Sequence, residues 1–242
     1  MLDKKEISRN FSASAKNYDQ HAVLQKTLAD KLLSQLPTPN SELVSILDLG
    51  CGTGYLIGKM KGLFPGASMI GLDIAPGMVE VASNKHEGCQ LGDGEALPFT
   101  DDAFDLVVSN ASLQWMDAGK VFSEVSRVLK PGGGFHFSTF GPETLKELKE
   151  SGFRVNTFLS INELISLAKD KFAVVSFETI KVEQKFKTIK ELLLHLKGIG
   201  AQTTDKSKSV NFSAFRKYQN KYGQDGFIPA TYEIIFGHVI IP

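Results

Sequence analysis

The stretch Ser45-Ile46-Leu47-Asp48-Leu49-Gly50-Cys51-Gly52-Thr53-Gly54-Tyr55 decides the fold. Ile46, Leu47 and Leu49 form a short apolar run bounded by glycine, the pattern of a buried strand entering a tight turn. Gly50, Gly52 and Gly54 stand at alternate positions and remove every Cβ that would keep a ligand off the backbone. Tyr55-Leu56-Ile57-Gly58-Lys59-Met60 then reads as a helix whose first N–H groups face that turn.

Outward from this unit the chain alternates strands and helices, the pattern of a parallel sheet with crossovers. The second strand is Ala67 to Ile74, after which Pro76 suits a first helical position and Met78, Val81 and Ala82 face inward. Gln90-Leu91-Gly92-Asp93-Gly94 is a short third strand and turn, and Phe104 to Asn110 a β-branched fourth. Asp117 can cap the helix carrying Val121, Val125, Val128 and Leu129. Lys130-Pro131-Gly132-Gly133-Gly134 stops that helix and leads into a fifth strand, Phe135 to Phe140. Residues 141–169 read as helical and polar, and 173–182 and 231–241 as the last two strands.

Ligands of such sheets bind beyond the carboxyl ends of the strands, where strand order reverses. Four tips, near Gly50, Asp73, Asp93 and Asn110, therefore face one crevice. The D-x-G-x-G-x-G spacing from Asp48 departs from a dinucleotide fingerprint, whose third glycine would fall on Tyr55. An acid beside close-approach glycines suits a cationic, phosphate-free nucleoside such as S-adenosylmethionine. Asp73 can accept from both ribose hydroxyls and Asp93, beside Gly94, from the adenine amino group, with Ile74 and Met78 sandwiching the ring. This stretch resembles motif I of the class I methyltransferases that use that cofactor. The resemblance implies an α/β fold with a doubly wound, mostly parallel seven-stranded sheet and a helical lid.

The 242 residues, 42% hydrophobic and 22% charged, suit one large domain with a small accessory lobe. No stretch approaches the roughly 18 apolar residues of a membrane span, and the N-terminal residues do not resemble a signal peptide. Two cysteines are too few for a disulfide framework, and the five histidines lack metal-site spacing. A cytoplasmic, metal-free protein is expected. Zero net charge hides an asymmetry: residues 181–221 hold ten Lys and Arg against three acids, a net +7. Such a split suggests an acidic partner, though a solvated lysine-rich helical face would look the same.

Residues 1–40 read as two helices that close the cofactor site, with Phe11 to His21 between them and Tyr18 and His21 placed to position the reactants. In the second helix Leu24, Leu28, Leu32 and Leu36 form one apolar stripe, ended by Pro37 and Pro39. Residues 41–186 and 231–242 form the expected cofactor-binding core. The forty-odd residues 187–230 are too long for a hairpin loop and read as a basic helical lid between the last two strands. In it, Thr188 to Glu191 has capping-box spacing.

Longer segments carry a narrower resemblance: Tyr18-Asp19-Gln20-His21, Gly92 to Phe99, Ser109 to Trp115, Phe140 to Leu145, Leu196 to Ala201 and Tyr232 to His238. They are similar to the malonyl-acyl-carrier-protein O-methyltransferases of biotin synthesis, over nearly the whole chain. That family methylates the free carboxylate of a malonyl thioester, leaving S-adenosylhomocysteine. The resemblance implies an acidic acyl carrier protein as partner, although a coenzyme A thioester is also compatible. Gln114 and Trp115 are then expected to line the acyl pocket, and Arg154, Lys197 or Arg216 to orient the carboxylate. Thr157 stands where relatives often carry arginine. No acid–base residue is expected, because the carboxylate is already ionised at neutral pH. The rivals are a methyltransferase acting on a quinone or phenol, which needs a base, and an RNA-modifying enzyme. Phe212, Phe215, Tyr218 and Tyr222 interleaved with Arg216, Lys217 and Lys221 would suit RNA, but their spacing equally suits a buried helical stripe.

Overall fold

The computed structural model describes residues 3–36, 45–201 and 212–242. The expected proline stop at 37–41, the boundary between 40 and 41, Lys206, Lys208 and the Phe212 side chain lie outside the described residues.

Seven strands form one sheet: β1 Ser45–Leu49, β2 Ser68–Asp73, β3 Cys89–Leu91, β4 Phe104–Asn110, β5 Leu129–Phe140, β6 Ala173–Phe186 and β7 Ile228–Ile240. Their order is β3-β2-β1-β4-β5-β7-β6. The pairs from β3 to β5 are parallel, and β7 runs antiparallel to both β5 and β6. The order reverses between β1 and β4, which opens the crevice where such sheets bind ligands. Nine helices are described: α1 Lys4–His21, α2 Val23–Ser34, α3 Tyr55–Leu63, α4 Pro76–Ser83, α5 Ala118–Val128, α6 Lys146–Ser151, α7 Ile161–Ala168, α8 Ile189–Gly198 and α9 Phe212–Tyr222. The mostly parallel sheet, flanked by helices, is the doubly wound architecture expected.

The central strands are apolar on both faces because helices cover both. On one side Val121, Phe122, Val125 and Val128 of α5 pack with Phe135 and Phe137 of β5. On the other, Leu56, Ile57 and Met60 of α3 pack with Ile46 and Leu106. Asp117 caps α5, its carboxylate accepting the Lys120 N–H. Phe122 is fully buried among three further phenylalanine rings, so Phe122→Ala would cost roughly 3–5 kcal/mol.

Three expectations need correction. Phe11 to His21 is not a connector but the second half of α1, which runs unbroken to His21. It contains no glycine or proline, and Ala15 is buried where the helix meets α4, so packing overrides its polar composition. The fifth strand starts at Leu129, not Phe135: Leu129 already pairs with Phe104 of β4, and 130–133 bulge out, with Gly132 at φ +77°, before pairing resumes at Gly134. Residues 141–169 hold only the short helices α6 and α7, with 153–160 in neither helix nor strand between them. Gly152 ends α6 at φ +98°, and Ser160 restarts the chain with a capping box on Glu163.

Candidate active site

The glycine turn after β1 is held by Gly50 and Cys51 N–H groups donating to the Leu72 carbonyl. Gly50 has φ +75°, and a Cβ there would collide with Ser112. Ser112 is anchored in turn by its hydroxyl donating to the Leu49 carbonyl at 3.0 Å. A Cβ on Gly94 would lie 2.6 Å from the Met116 sulfur. Both glycines keep open a cleft of about 700 Å³ at the tips of β1, β2 and β4. Gly50, Gly52, Asp73, Ile74, Met78, Asp93, Gly94 and Asn110 all line it. The cleft continues past Tyr18, Gly50, Gly52 and Asn110 into a smaller lobe of about 420 Å³ that Asp48 lines. Gly54 lines neither: at φ +81° it starts α3, and its bare Cα accommodates the His86 ring.

The acids differ in state. Asp73 accepts the Gly52 N–H at 2.9 Å and the Ala75 N–H at 2.8 Å. Those bonds spend two of roughly four lone-pair sites and leave two for a ligand. Burial raises its pKa, while the backbone bonds pull the other way. Asp48 is 1% exposed, and its Oδ2 has no partner among the described residues. Burial pushes its pKa well up, and the nearby Asp73 charge adds to that. An unpaired buried carboxylate is costly unless a cation completes it. Asp93 carries a partner the sequence did not suggest: Lys4 of α1 reaches Asp93 Oδ2 and Glu95 Oε2, each at 2.7 Å. Burial raises the Asp93 pKa, but the Lys4 bond and charge, the Glu95 N–H and the Lys120 charge together lower it below its ordinary value.

Helix α1 forms the outer wall of the cleft. Its Ser8 hydroxyl donates to the Ile74 carbonyl, and Ser12 accepts from the Gly77 N–H. A side chain at Gly77 would strike the Ser12 backbone, 2.7 Å away. Phe11 meets Trp115 edge-on, with centroids 5.3 Å apart. Tyr18 faces the cleft, its smaller lobe and a neighbouring cavity; burial raises the pKa of its phenol, which stays protonated. His21 lines none of these; its ring packs on Gly198 of α8.

That neighbouring cavity, about 580 Å³, shares Phe11, Tyr18, Ala111 and Trp115 with the cofactor cleft. Phe140, Phe158, Leu145, Leu196 and Ile199 make it apolar, and Gln25, Gln114, Asn156, Thr144 and Tyr232 supply its polar groups. Gln114 is fixed by its amide, which donates to the Ala111 carbonyl and accepts from the Thr139 hydroxyl. Among the described residues that line it there is no Lys, Arg, His, Asp or Glu. The expected cationic clamp is therefore not built there: Arg154, Lys197 and Arg216 are all exposed and line none of these spaces. Asn110 turned out to be structural as well as lining, since its amide donates to the Gln25 carbonyl and accepts from the Ser138 hydroxyl.

Sequence reasoning missed Lys4, Phe11, Gln25, Phe158 and Tyr232, which come from elements distant in the chain, and also Ser112 and Met116, which flank Gln114 and Trp115. Ser112 and Tyr232 lay within segments that carried the family resemblance, but as unassigned positions. The described part of the aromatic stripe weighed for RNA packs against the protein itself. Tyr218 is fully buried and donates to the Pro229 carbonyl, Phe215 packs on Phe153, and Tyr222 bonds Glu150.

With this geometry in hand, comparison with known proteins places the chain. Residues 47–137 match a methyltransferase domain family. A malonyl-acyl-carrier-protein O-methyltransferase of Acetivibrio thermocellus is 34% identical over 98% of this chain and 93% of its own length. The chain belongs to that family. A bifunctional biotin biosynthesis protein of Teredinibacter turnerae is 35% identical over 96% of this chain, which spans 46% of that longer protein. In fold, the chain is similar to geranyl diphosphate C-methyltransferase of Streptomyces coelicolor A3(2), solved with S-adenosyl-L-homocysteine. There the TM-score is 0.58 at 16% identity, covering 89% of this chain and 78% of that one. The protein is thus an O-methyltransferase of the class I fold. Among the described residues no helix is long and apolar enough to cross a membrane.

Proposed function

We propose that the protein transfers a methyl group from S-adenosylmethionine to the free carboxylate of a malonyl thioester carried by an acyl carrier protein. The products are the methyl ester and S-adenosylhomocysteine. One observation carries the assignment of a carboxylate: the cavity fused to the cofactor cleft offers, among the described residues, no proton acceptor stronger than a tyrosine or an amide. A phenol or hydroquinone needs a base to become nucleophilic. A carboxylate, with a pKa of about 4, does not.

The residues suited to hold the cofactor are those of the cleft. Asp73 has acceptor sites left for ribose hydroxyls. Ile74 and Met78 offer apolar faces for a purine, and Asp93 with Gly94 lies at its edge. The unpaired Asp48 Oδ2 in the smaller lobe fits an ammonium group. When bound, S-adenosylmethionine supplies an electrophilic methyl on a positively charged sulfur. Tyr18, Phe11 and Trp115 stand between the two spaces, so they align the reactants and exclude water; alignment at about 3 Å is the main service such a displacement requires.

The division of labour follows: residues 1–40 close the cofactor site, 41–186 with 231–242 bind it, and 187–230 form a lid. Lys187, Lys190, Lys197, Arg216 and Lys217 are exposed on the described part of that lid. They suit an acidic carrier protein approaching in the cytoplasm, with steering that weakens as salt is added. Replacing Lys190, Lys197 and Lys217 by Glu should raise KM for the carrier-bound substrate several-fold and leave a small malonyl thioester unaffected; equal effects would refute lid docking. The central test is transfer of labelled methyl to malonyl-carrier protein, with acetyl-carrier protein as the blank. Label on malonyl alone is expected, and equal labelling would rule out carboxylate methylation.

A further inference from the structure

The acyl cavity holds two buried polar atoms with no partner among the described residues. Tyr232 of β7 is 3% exposed, and its hydroxyl bonds to no described residue. Gln25 of α2, on the same cavity, has an unpaired Oε1. The neighbouring polar groups are not bonded to Tyr232. The Glu147 carboxylate accepts the Thr231 N–H and its hydroxyl instead. The Tyr218 hydroxyl donates to the Pro229 carbonyl. A buried hydroxyl left unpaired costs stability that phenylalanine would recover, so its presence points to a ligand.

From this placement we infer that Tyr232, assisted by Gln25, holds the oxygen of the substrate carboxylate that does not take the methyl group. The inference rests on the carboxylate-methylating function proposed above. It replaces the arginine or lysine clamp with neutral donors. The chemistry favours that choice, because a full positive charge on a carboxylate draws electron density away from the attacking oxygen. One hydroxyl on the other oxygen orients it and leaves the attacking oxygen free. Gln25 serves by turning its amide, which brings Nε2 to the position of Oε1. Both donors stay neutral, so substrate affinity should not depend on titration of either.

The test compares wild type, Tyr232→Phe and Gln25→Met with a malonyl thioester as substrate and an acetyl thioester as competitive inhibitor. Tyr232→Phe should raise KM for the malonyl thioester about ten- to a hundredfold, the range for a bond to a charged group. It should leave the acetyl inhibition constant and the cofactor affinity unchanged. Its melting temperature should hold or rise, which loss of a structural bond would not allow. Gln25→Met should raise the same KM by a smaller factor. An unchanged KM in an active Tyr232→Phe would overturn the inference. So would equal weakening of malonyl and acetyl thioesters, or a variant that no longer folds. If wild type itself fails to methylate the malonyl thioester, the proposed function fails instead, and the two failures are told apart.

Discussion

The cofactor cleft draws Gly50, Asp73, Ile74, Asp93 and Asn110 from the ends of consecutive strands or the turns just beyond them. The acyl cavity next to it draws Gln25 from α2, Phe140 from β5, Leu196 from α8 and Tyr232 from β7. The first sets glycine backbone and the carboxylates of Asp73 and Asp93 among apolar walls, and the buried acid Asp48 lines the lobe beside it. The second is aromatic and, among its described lining residues, free of acids and cations. Binding a charged nucleoside needs fixed charges and close backbone, which short motifs at strand ends provide. Binding an acyl group needs shape and dryness, which any combination of large side chains can supply once the fold brings them together. The boundary between the two is a few side chains: Phe11, Tyr18, Ala111 and Trp115.

The largest effect should come from the cleft. Gly50→Ala puts a Cβ into Ser112 at a φ of +75°, so cofactor affinity measured by calorimetry should fall by roughly a thousandfold, about 4 kcal/mol. Retained affinity would mean that the turn is not the cradle.

Next in size is Asp48→Asn. Removing an unpaired buried charge should weaken cofactor binding by about tenfold or more, yet stabilise the ligand-free protein by roughly 1–3 kcal/mol at neutral pH. The sign with pH follows from burial, which raises the folded-state pKa above the unfolded one. The penalty is absent below about pH 4 and grows as pH rises from there toward the folded value. Denaturant melts should therefore show wild type losing stability over that rise more steeply than Asp48→Asn. Parallel curves would show that Asp48 has a partner in solution.

The smallest effect should come from the other region. Phe158→Ala enlarges the acyl cavity only, and Phe158 is half-buried. A rise in malonyl thioester KM of about tenfold, for a loss near 1.4 kcal/mol, is expected with cofactor affinity unmoved. A matching fall in cofactor affinity would show that the two spaces act as one.

Legibility in the sequence follows the same division. Alternating strands and helices, the glycine turn and the acids at Asp48, Asp73 and Asp93 are each marked by a pattern local to one strand and the turn beside it, and the described fold has the expected doubly wound sheet. Gln114 and Trp115 were legible because they directly follow a strand that the sequence marks clearly, and both line the acyl cavity. His21, Arg154, Lys197 and Arg216 were candidates from residue type and from the family resemblance, neither of which carries information about side-chain direction. His21 ends up against Gly198, and the three cations are exposed.

The sequence alone determined the order of the elements and the strand ends that face one crevice. Those depend on local pattern: period and glycine spacing. Only the tertiary structure decided that α1 runs unbroken along the cleft, that Lys4 reaches Asp93, and that Tyr232 is left unpaired in an apolar cavity. These are long-range contacts, between residues 89 apart for Lys4 and Asp93, and they exist only after side chains from separate elements have been packed into one place.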